Sequence, residues 1–323
     1  MAKPKSPLLS LGAKGTIGDA LTFQKRGRDT IAREKPIPKD PYSLNQAYQR
    51  WDYRDYAYLW TLLSSSDKQV YRTKASRYHI TGFSQFMRES LKTLTDLEGR
   101  WHLDEATGAV AQDSSKNTNH GTIIGASSVD GIIDLARHLD GVNDEINCGN
   151  DLSLRPEAIT VEFFITTPDP LVAIGGPGSR YYLTRYDYGN NRRVWGLNLQ
   201  KIGAGAGFFD HLGIALGDPA DGSYEYTGYY NFTLSPGTPY HIAFTFDAGT
   251  LLFYVAGQLV TLTATVGAVP ASLFVSPVDL LIGGALNNGI TALRCKSTQD
   301  EVRLYSRALT QPELLRHSLR HYP

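Results

Sequence analysis

Oxygen donors and aromatic rings are the side chains of this 323-residue sequence best suited to chemistry. Asp140 and Asp144 are closely spaced carboxylates in the segment His138–Asp144. Such a pair suits calcium, a hard cation that takes about six to eight oxygens from carboxylates and turn carbonyls. Two tyrosine-rich stretches, Tyr181-Tyr182…Tyr186…Tyr188 and Tyr224…Tyr226…Tyr229-Tyr230, stand near Asp187, Asn190, Asn191 and Asp221. A sugar site stacks ring faces on aromatics and hydrogen-bonds hydroxyls to Asp and Asn. Tyrosines at alternate positions also suit one face of a sheet or a subunit contact. Tyr182, Tyr186, Tyr188, Tyr226 and Tyr229 are therefore read as glycan or partner contacts. A glycosidase needs two carboxylates roughly 5–9.5 Å apart, commonly carried on one strand as Glu-x-Asp-x-Glu, and no such triplet occurs. Asp104 and Glu105 are adjacent, so on a strand they point to opposite faces. No Gly-x-Ser-x-Gly elbow is present, and Gly203–Gly207 lacks the Gly-Lys-Ser/Thr ending of a phosphate loop. No enzymatic activity is expected.

The elements that must hold these groups fall into three parts: an extended arm over 1–42, a small helical module over 43–94 and a β-sandwich over 95–323. Formal charge sums to zero but is divided. Residues 1–94 carry 17 Lys+Arg against 8 Asp+Glu, a net of +9, which leaves −9 on the remainder. In the arm, Leu21–Lys25 and Asp29–Arg33 suit a hairpin around Arg26-Gly27-Arg28. Pro36, Pro38 and Pro41 then favour a stiff polyproline strap. In the module, Leu44 to Leu63 carry a 3.6-residue apolar stripe. A second helix is expected from Ser66 or Asp67 to Tyr78 with Val70, Tyr71 and Ala75 inward, and a third from near Thr81 with Phe83, Phe86, Met87 and Leu91 inward. Basic Arg50, Arg54, Lys68 and Arg72 alternate with Asp52, Asp55 and Asp67, so no sequence-specific nucleic-acid binding is expected.

Beyond residue 95, runs such as Ile159–Ile165, Val194–Leu199, Tyr240–Phe246 and Leu251–Val255 alternate with turn clusters, the mark of a two-sheet sandwich. Asp300–Leu314 reads as a last strand, with Val302 and Leu304 on one face and Arg303 and Tyr305 on the other. A helix follows, capped by Thr310 and Glu313. Cys148 and Cys295 lie near no second Cys or well-spaced His, which argues against zinc. They either pair across the sheets or remain buried thiols. The first residues lack the apolar core of a signal peptide, and no apolar run is long enough for a transmembrane helix.

Three motifs carry a resemblance. Gly99-Arg100-Trp101-His102-Leu103-Asp104-Glu105 with Asp113-Ser114-Ser115 and Asn119-His120-Gly121, then His138–Asp144, then Asp300–Leu314, resemble in order the signatures of concanavalin-A-like, laminin-G-like jelly rolls. Val255–Val260 resembles the hairpin of that family, with Ala256 where Asp or Asn is usual. The resemblance implies a mainly β, two-sheet jelly roll, a fold that hosts lectins, adhesins, hydrolases and virion parts alike. It also implies one structural calcium ion, because Asp104 and Asp300 occupy motifs that neighbour each other in the family fold, and Asp140 and Asp144 offer a second carboxylate cluster for it.

The N-terminal segment, from Gly15…Phe23 through Arg33-Glu34-Lys35-Pro36 to Thr81-Gly82-Phe83…Phe86-Met87, is similar to a small module of tailed-phage structural proteins. That similarity implies a virion protein made in a host cytoplasm. Its arm would anchor it to other virion proteins through Lys25, Arg26, Arg28 and Arg33, its sandwich would be displayed, and copies would assemble as a homo-oligomer. The alternative is a carbohydrate-binding module or adhesin for host surface glycans.

Overall fold

The computed structural model describes residues 15–17, 21–26, 29–34, 49–50, 52–54, 56–57, 60–61, 63–92, 96–167, 180–200, 211–232 and 234–319, with backbone alone over 15–34. The chain divides into two compact units, Met1–Arg50 and Trp51–Pro323.

In the first unit, β1 (Gly15–Ile17), β2 (Leu21–Arg26) and β3 (Asp29–Glu34) form an antiparallel sheet. β2 pairs with β3 from Leu21↔Glu34 to Arg26↔Asp29, the hairpin expected there. The side chains of Lys25, Arg26 and Arg33, all of Arg28, and the proline strap lie outside the described residues.

The second unit opens with helical residues 52–54, 56–57 and 60–61, then α1 (Ser65–Ser76) and α2 (Gly82–Lys92). Ser64 caps α1 by accepting a hydrogen bond from the Asp67 backbone N–H (3.1 Å). Trp60 packs edge-on to Tyr71 and Phe83 and tilted on Phe86, with ring centroids 5.5–6.1 Å apart. Phe86, Met87 and Ala75 are buried as expected. Val70 and Leu91 correct the expected stripe: both are exposed, and in α1 it is Tyr71, next to Val70, that packs on Trp60 and Phe86.

The sandwich follows. Its strands are β4 (Leu97–Trp101), β5 (Val110–Ala111), β6 (Gly121–Ile124), β7 (Ser127–Asp130), β8 (Leu135–Leu139), β9 (Glu145–Asn147), β10 (Ile159–Thr166), β11 (Arg180–Asp187), β12 (Arg192–Gln200) and β13 (His211–Gly217). They continue as β14 (Tyr224–Tyr230), β15 (Pro239–Asp247), β16 (Thr250–Val255), β17 (Gln258–Val260), β18 (Thr263–Val266), β19 (Leu281–Ile282), β20 (Ala285–Asn287), β21 (Ile290–Ala292) and β22 (Ser297–Tyr305). One sheet has eight strands, β17-β16-β15-β10-β22-β8-β7 with β4 also on β22. The other has eleven, β18-β14-β13-β12-β11-β19-β9-β6-β5 with β20 and β21 at one side. This is the two-sheet, mainly β jelly-roll architecture.

Period-two alternation builds the core. Val161, Phe163 and Ile165 of β10, Ile242, Phe244 and Phe246 of β15, and Val302 and Leu304 of β22 meet Trp195, Leu197, Leu199 and Ile214 of the other sheet. Cys148 and Cys295 are buried free thiols in the same core, their pKa values pushed up by burial. α3 (Gln311–Ser318) follows β22 and lies over the outer face of the eight-stranded sheet. Glu313 accepts from the Thr310 backbone N–H (2.8 Å), the capping interaction read from sequence. Among the described residues no helix is long and apolar enough to cross a membrane.

Candidate functional site

β22 contains the first site element, a β-bulge. Its ladder with β10 shifts between Arg303↔Glu162 and Asp300↔Phe164. Before the shift Gln299 points inward, donating to the Tyr182 carbonyl (3.0 Å) of the opposite sheet; after it Val302 and Leu304 do. The extra residue reverses the parity of the strand, and Asp300 and Glu301 at the bulge are both buried. Glu301 has φ of 51°, and Leu103, next to Asp104, has φ of 65°. Two such left-handed residues side by side mark backbone held against its preference.

Asp300 and Asp104 secure the same loop. Asp300 Oδ2 accepts from the backbone N–H of Ile132 (2.8 Å) and Ile133 (3.1 Å), and Asp104 Oδ1 accepts from that of Leu135 (3.3 Å). Asp300 Oδ1 is buried with no hydrogen-bond partner. Burial first, then the charges of Glu301 and Asp104, push the Asp300 carboxyl up to about 8 despite two amide hydrogen bonds. His102, Asp104 and Glu301 each present one ligand-capable atom, all within 4.8 Å of one another. Both Glu301 oxygens are already engaged. Oε1 lies 2.5 Å from His102 Nδ1, and Oε2 accepts from Arg303. Burial acts to raise Glu301, but the charges of Arg303 and His102 prevail and hold it far below the usual carboxylate range. The unpartnered oxygen of Asp300 and the carboxylate of Asp104 fit a hard cation. Glu301 fits one only by giving up His102 or Arg303.

Asp140 and Asp144 close a turn of their own. Asp140 Oδ1 accepts from the N–H of Val142 (2.7 Å) and Asn143 (3.2 Å), and Asp144 Oδ2 accepts from the N–H of Asp140 (2.9 Å). They do not join the ligand-capable group at His102, Asp104 and Glu301.

The tyrosines require a correction. Tyr182, Tyr186 and Tyr226 are buried and cannot stack on a sugar. Tyr182 and Tyr226 pack in the core between the sheets. Tyr186 stacks on Tyr181 (5.2 Å) in a small cluster with Ala215 and Ala285. Tyr188 and Tyr229 are partly exposed, and Tyr229 stacks on His211 (5.1 Å). The alternation that suggested a platform comes from strands β11 and β14 filling both of their faces.

A charge network on the outer face of the eight-stranded sheet is not evident from spacing. Glu162, fully buried, lies 3.1 Å from Arg303 Nη1, 3.2 Å from His241 Nε2 and 2.9 Å from His317 Nδ1, and accepts from the Tyr305 hydroxyl (3.1 Å). Burial acts to raise its pKa. The His317 charge, the hydrogen bonds from both histidines and Arg303 outweigh burial and hold it well below the usual range. His317 belongs to α3, so the network also fastens that helix down.

A cavity of about 440 Å³ opens between the two sheets at one end. Its walls come from Arg155–Ala158 before β10, the β15–β16 hairpin, the loop Ala271–Val275, Arg185 of β11 and Val194 of β12. Phe246, Leu273 and Phe274 supply apolar surface, and Ser272, two guanidinium groups and the carboxylates of Glu157 and Asp247 supply polar surface. A second bulge, at Tyr182 between Tyr181 and Leu183, turns Leu183 toward the core, and Arg185, two residues on, shares that inward face. The volume is that of a small-molecule site.

Residues 139–315 match the model of the concanavalin A-like lectin/glucanases superfamily. No curated protein sequence matches the chain. Among solved structures, the chain resembles the binding domain of Paraclostridial Mosquitocidal Protein 1 (TM-score 0.51, 15% identity, 69% of this chain and 52% of that one). It also resembles a Trypanosoma rangeli sialidase in complex with sialic acid (TM-score 0.51, 16% identity, 70% and 33%). Domain 4 of AbnA, a GH43 extracellular arabinanase from Geobacillus stearothermophilus, in complex with arabinotriose, gives a TM-score of 0.46 at 19% identity, over 68% of this chain and 97% of that one. The chain thus spans about half of the first solved chain and a third of the second, and at these identities the likeness is one of fold. The family model covers more than half of the sequence, and with the two-sheet topology it places this chain in the concanavalin A-like lectin/glucanases superfamily.

Proposed function

We propose that the sandwich is a carbohydrate-recognition module that holds a saccharide in the cavity between the sheet ends. The cavity carries this reading: it combines an open, aromatic-walled space of about 440 Å³ with the hydrogen-bonding groups of Arg155, Arg185 and Ser272. Membership of a lectin and glucanase superfamily supports it, while the sequence shows no paired-carboxylate motif for hydrolysis. Calorimetric titration with a panel of soluble polysaccharides tests it. Binding is expected, and Ala271→Trp, which places an indole in the cavity from an exposed position, is expected to abolish it. Silence across the panel, or unchanged binding by Ala271→Trp, would refute the reading.

Two accessory roles accompany it. A structural calcium ion at Asp104 and Asp300 is favoured by the orphaned Asp300 oxygen. It would offset the carboxylate repulsion there and stabilise the bulge. Attachment to a virion, with copies assembled as a homo-oligomer, is favoured by the separate N-terminal unit, in which Lys25, Arg26 and Arg33 lie on a small sheet. Deleting residues 1–42 is then expected to stop incorporation into particles while the sandwich stays folded; normal incorporation would refute attachment through the arm.

A further inference from the structure

Two arginines and two carboxylates line the cavity, and of these four groups only the arginines are buried or half-buried. Arg185 is 2% exposed and has no carboxylate partner among the described residues. Its Nε donates to the Val278 carbonyl (3.3 Å) and its Nη2 to the carbonyls of Ser276 (2.5 Å) and Val278 (3.3 Å). Its Nη1 makes no hydrogen bond within the described protein. Arg155 lines the same cavity. Its Nη2 donates to Asn150, and its Nε is buried with no partner. The carboxylates that also line the space, Glu157 and Asp247, are exposed and pair with neither arginine.

Two guanidinium groups beside one cavity repel each other, and burial removes the water that would screen them. Burial first, then the Arg155 charge, lower the Arg185 pKa to about 10, with Asp279 acting the other way. Asp279 is occupied by the side-chain amides of Asn147 (2.9 Å) and Asn150 (2.6 Å). Holding the loop at Ser276–Val278 explains three of the contacts made by Arg185. It does not explain a second guanidinium placed alongside, nor N–H groups left unused on both.

We propose that the cavity selects an acidic saccharide, its carboxylate received by Arg185 and Arg155 and its ring set against Phe274. The proposal rests on the carbohydrate-recognition reading and adds the class of sugar. A carboxylate matches the guanidinium fork, and charge-assisted hydrogen bonds of this kind are roughly twice as strong as neutral ones. A neutral sugar leaves both guanidinium groups uncompensated.

The test is titration of the full chain with methyl glucuronide, methyl glucoside, acetate and sulfate, each followed by ligand-observed NMR. Methyl glucuronide is expected to bind about tenfold or more tightly than methyl glucoside. Arg155→Gln, at a half-buried position, is expected to remove most of that preference and leave the melting temperature near that of the parent. Arg185→Met is expected to remove it entirely, and Arg155→Gln carries the test if Arg185→Met does not fold. Equal binding of the two glycosides, or an unchanged preference in Arg155→Gln, would overturn the acidic-sugar proposal and leave carbohydrate recognition standing. Acetate or sulfate binding as tightly as the glucuronide would show an anion site with no use for the sugar ring, and would also overturn it. Absence of binding by both glycosides together with silence across the polysaccharide panel would remove both readings.

Discussion

Two groups of buried charge in one sandwich are built on different principles. Around Glu162, opposite charges meet. One carboxylate takes Arg303, His241 and His317, and Arg303 also reaches Glu301. At the end of the sandwich, Arg155 and Arg185 share a cavity with no buried acid opposite them. The first group is closed by α3 and spends its charge within the fold. The second is open and leaves its charge available to something that arrives. A buried ion therefore says little about function until its counter-ion has been located.

The widest separation between the two groups should come from deleting one charge in each. Arg303→Leu strands Glu162 and Glu301 in the interior and is expected to cost about 3–5 kcal/mol in urea unfolding. Arg155→Gln removes a charge that has no acid to lose and is expected to cost less than about 0.5 kcal/mol. Similar costs for the two would erase the distinction.

Asp300 stands between these cases, a buried acid with one oxygen satisfied and one not. Its pKa is raised in the folded state from the ordinary 3.8 to about 8, so the folded protein favours the protonated form. That contribution is complete below about pH 4 and is lost as pH rises through 8. In a chelator, Asp300→Asn is expected to raise stability at pH 8.5 by on the order of 1–2 kcal/mol and to have little effect at pH 4.5. If calcium occupies the site, the sign reverses at pH 8.5 when the ion is present. Melting curves at both pH values, with and without calcium, decide between these outcomes. Glu162 behaves oppositely: its pKa is depressed, so its contribution is present above the unfolded value near 4.5 and disappears as pH falls further.

The smallest effect concerns the hairpin beside α3. Ala256 and Gly257 have φ of 50° and 70°, and the turn joins Val255↔Gln258. Gly257 must stay glycine, since a Cβ there would overlap the backbone of Leu315. Ala256 is exposed, and Asn tolerates that conformation better. Ala256→Asn is expected to add about 0.5–1 kcal/mol, measured by the denaturation midpoint. No gain, or a loss, would show that the turn does not limit stability.

These comparisons also show which parts of the molecule the sequence could reveal. β10, β15, β16 and the end of β22 are legible because alternation is local. The Thr310–Glu313 cap is legible because its partners are three residues apart. The Glu162 network is not, because residues 162, 241, 303 and 317 meet only through strand register and the docking of α3. The tyrosines of β11 and β14 mislead for a related reason: alternate aromatics fit a core-facing strand as well as a binding platform, and only the packed structure separates the two. Arg185 is hidden in the same run. A lone arginine among Tyr181–Tyr186 signals a site only once its inward direction, set by the bulge between Tyr181 and Leu183, is known.

The strand ladder has a mechanical consequence. β4 enters the sandwich antiparallel to β22, with Leu97 opposite Tyr305 and Trp101 opposite Val302. The points where the chain enters and leaves are thus adjacent, tied by the Asp96–Arg307 ion pair (2.6 Å) and the hydrogen bond from Ser306 N–H to the Asp96 carbonyl (2.7 Å). Tension applied across those two points loads the ladder one rung at a time, as a zipper is opened, rather than all rungs together in shear. The force needed is set by the clasp at Asp96 and Arg307, while the large core behind it contributes only after the clasp has given way.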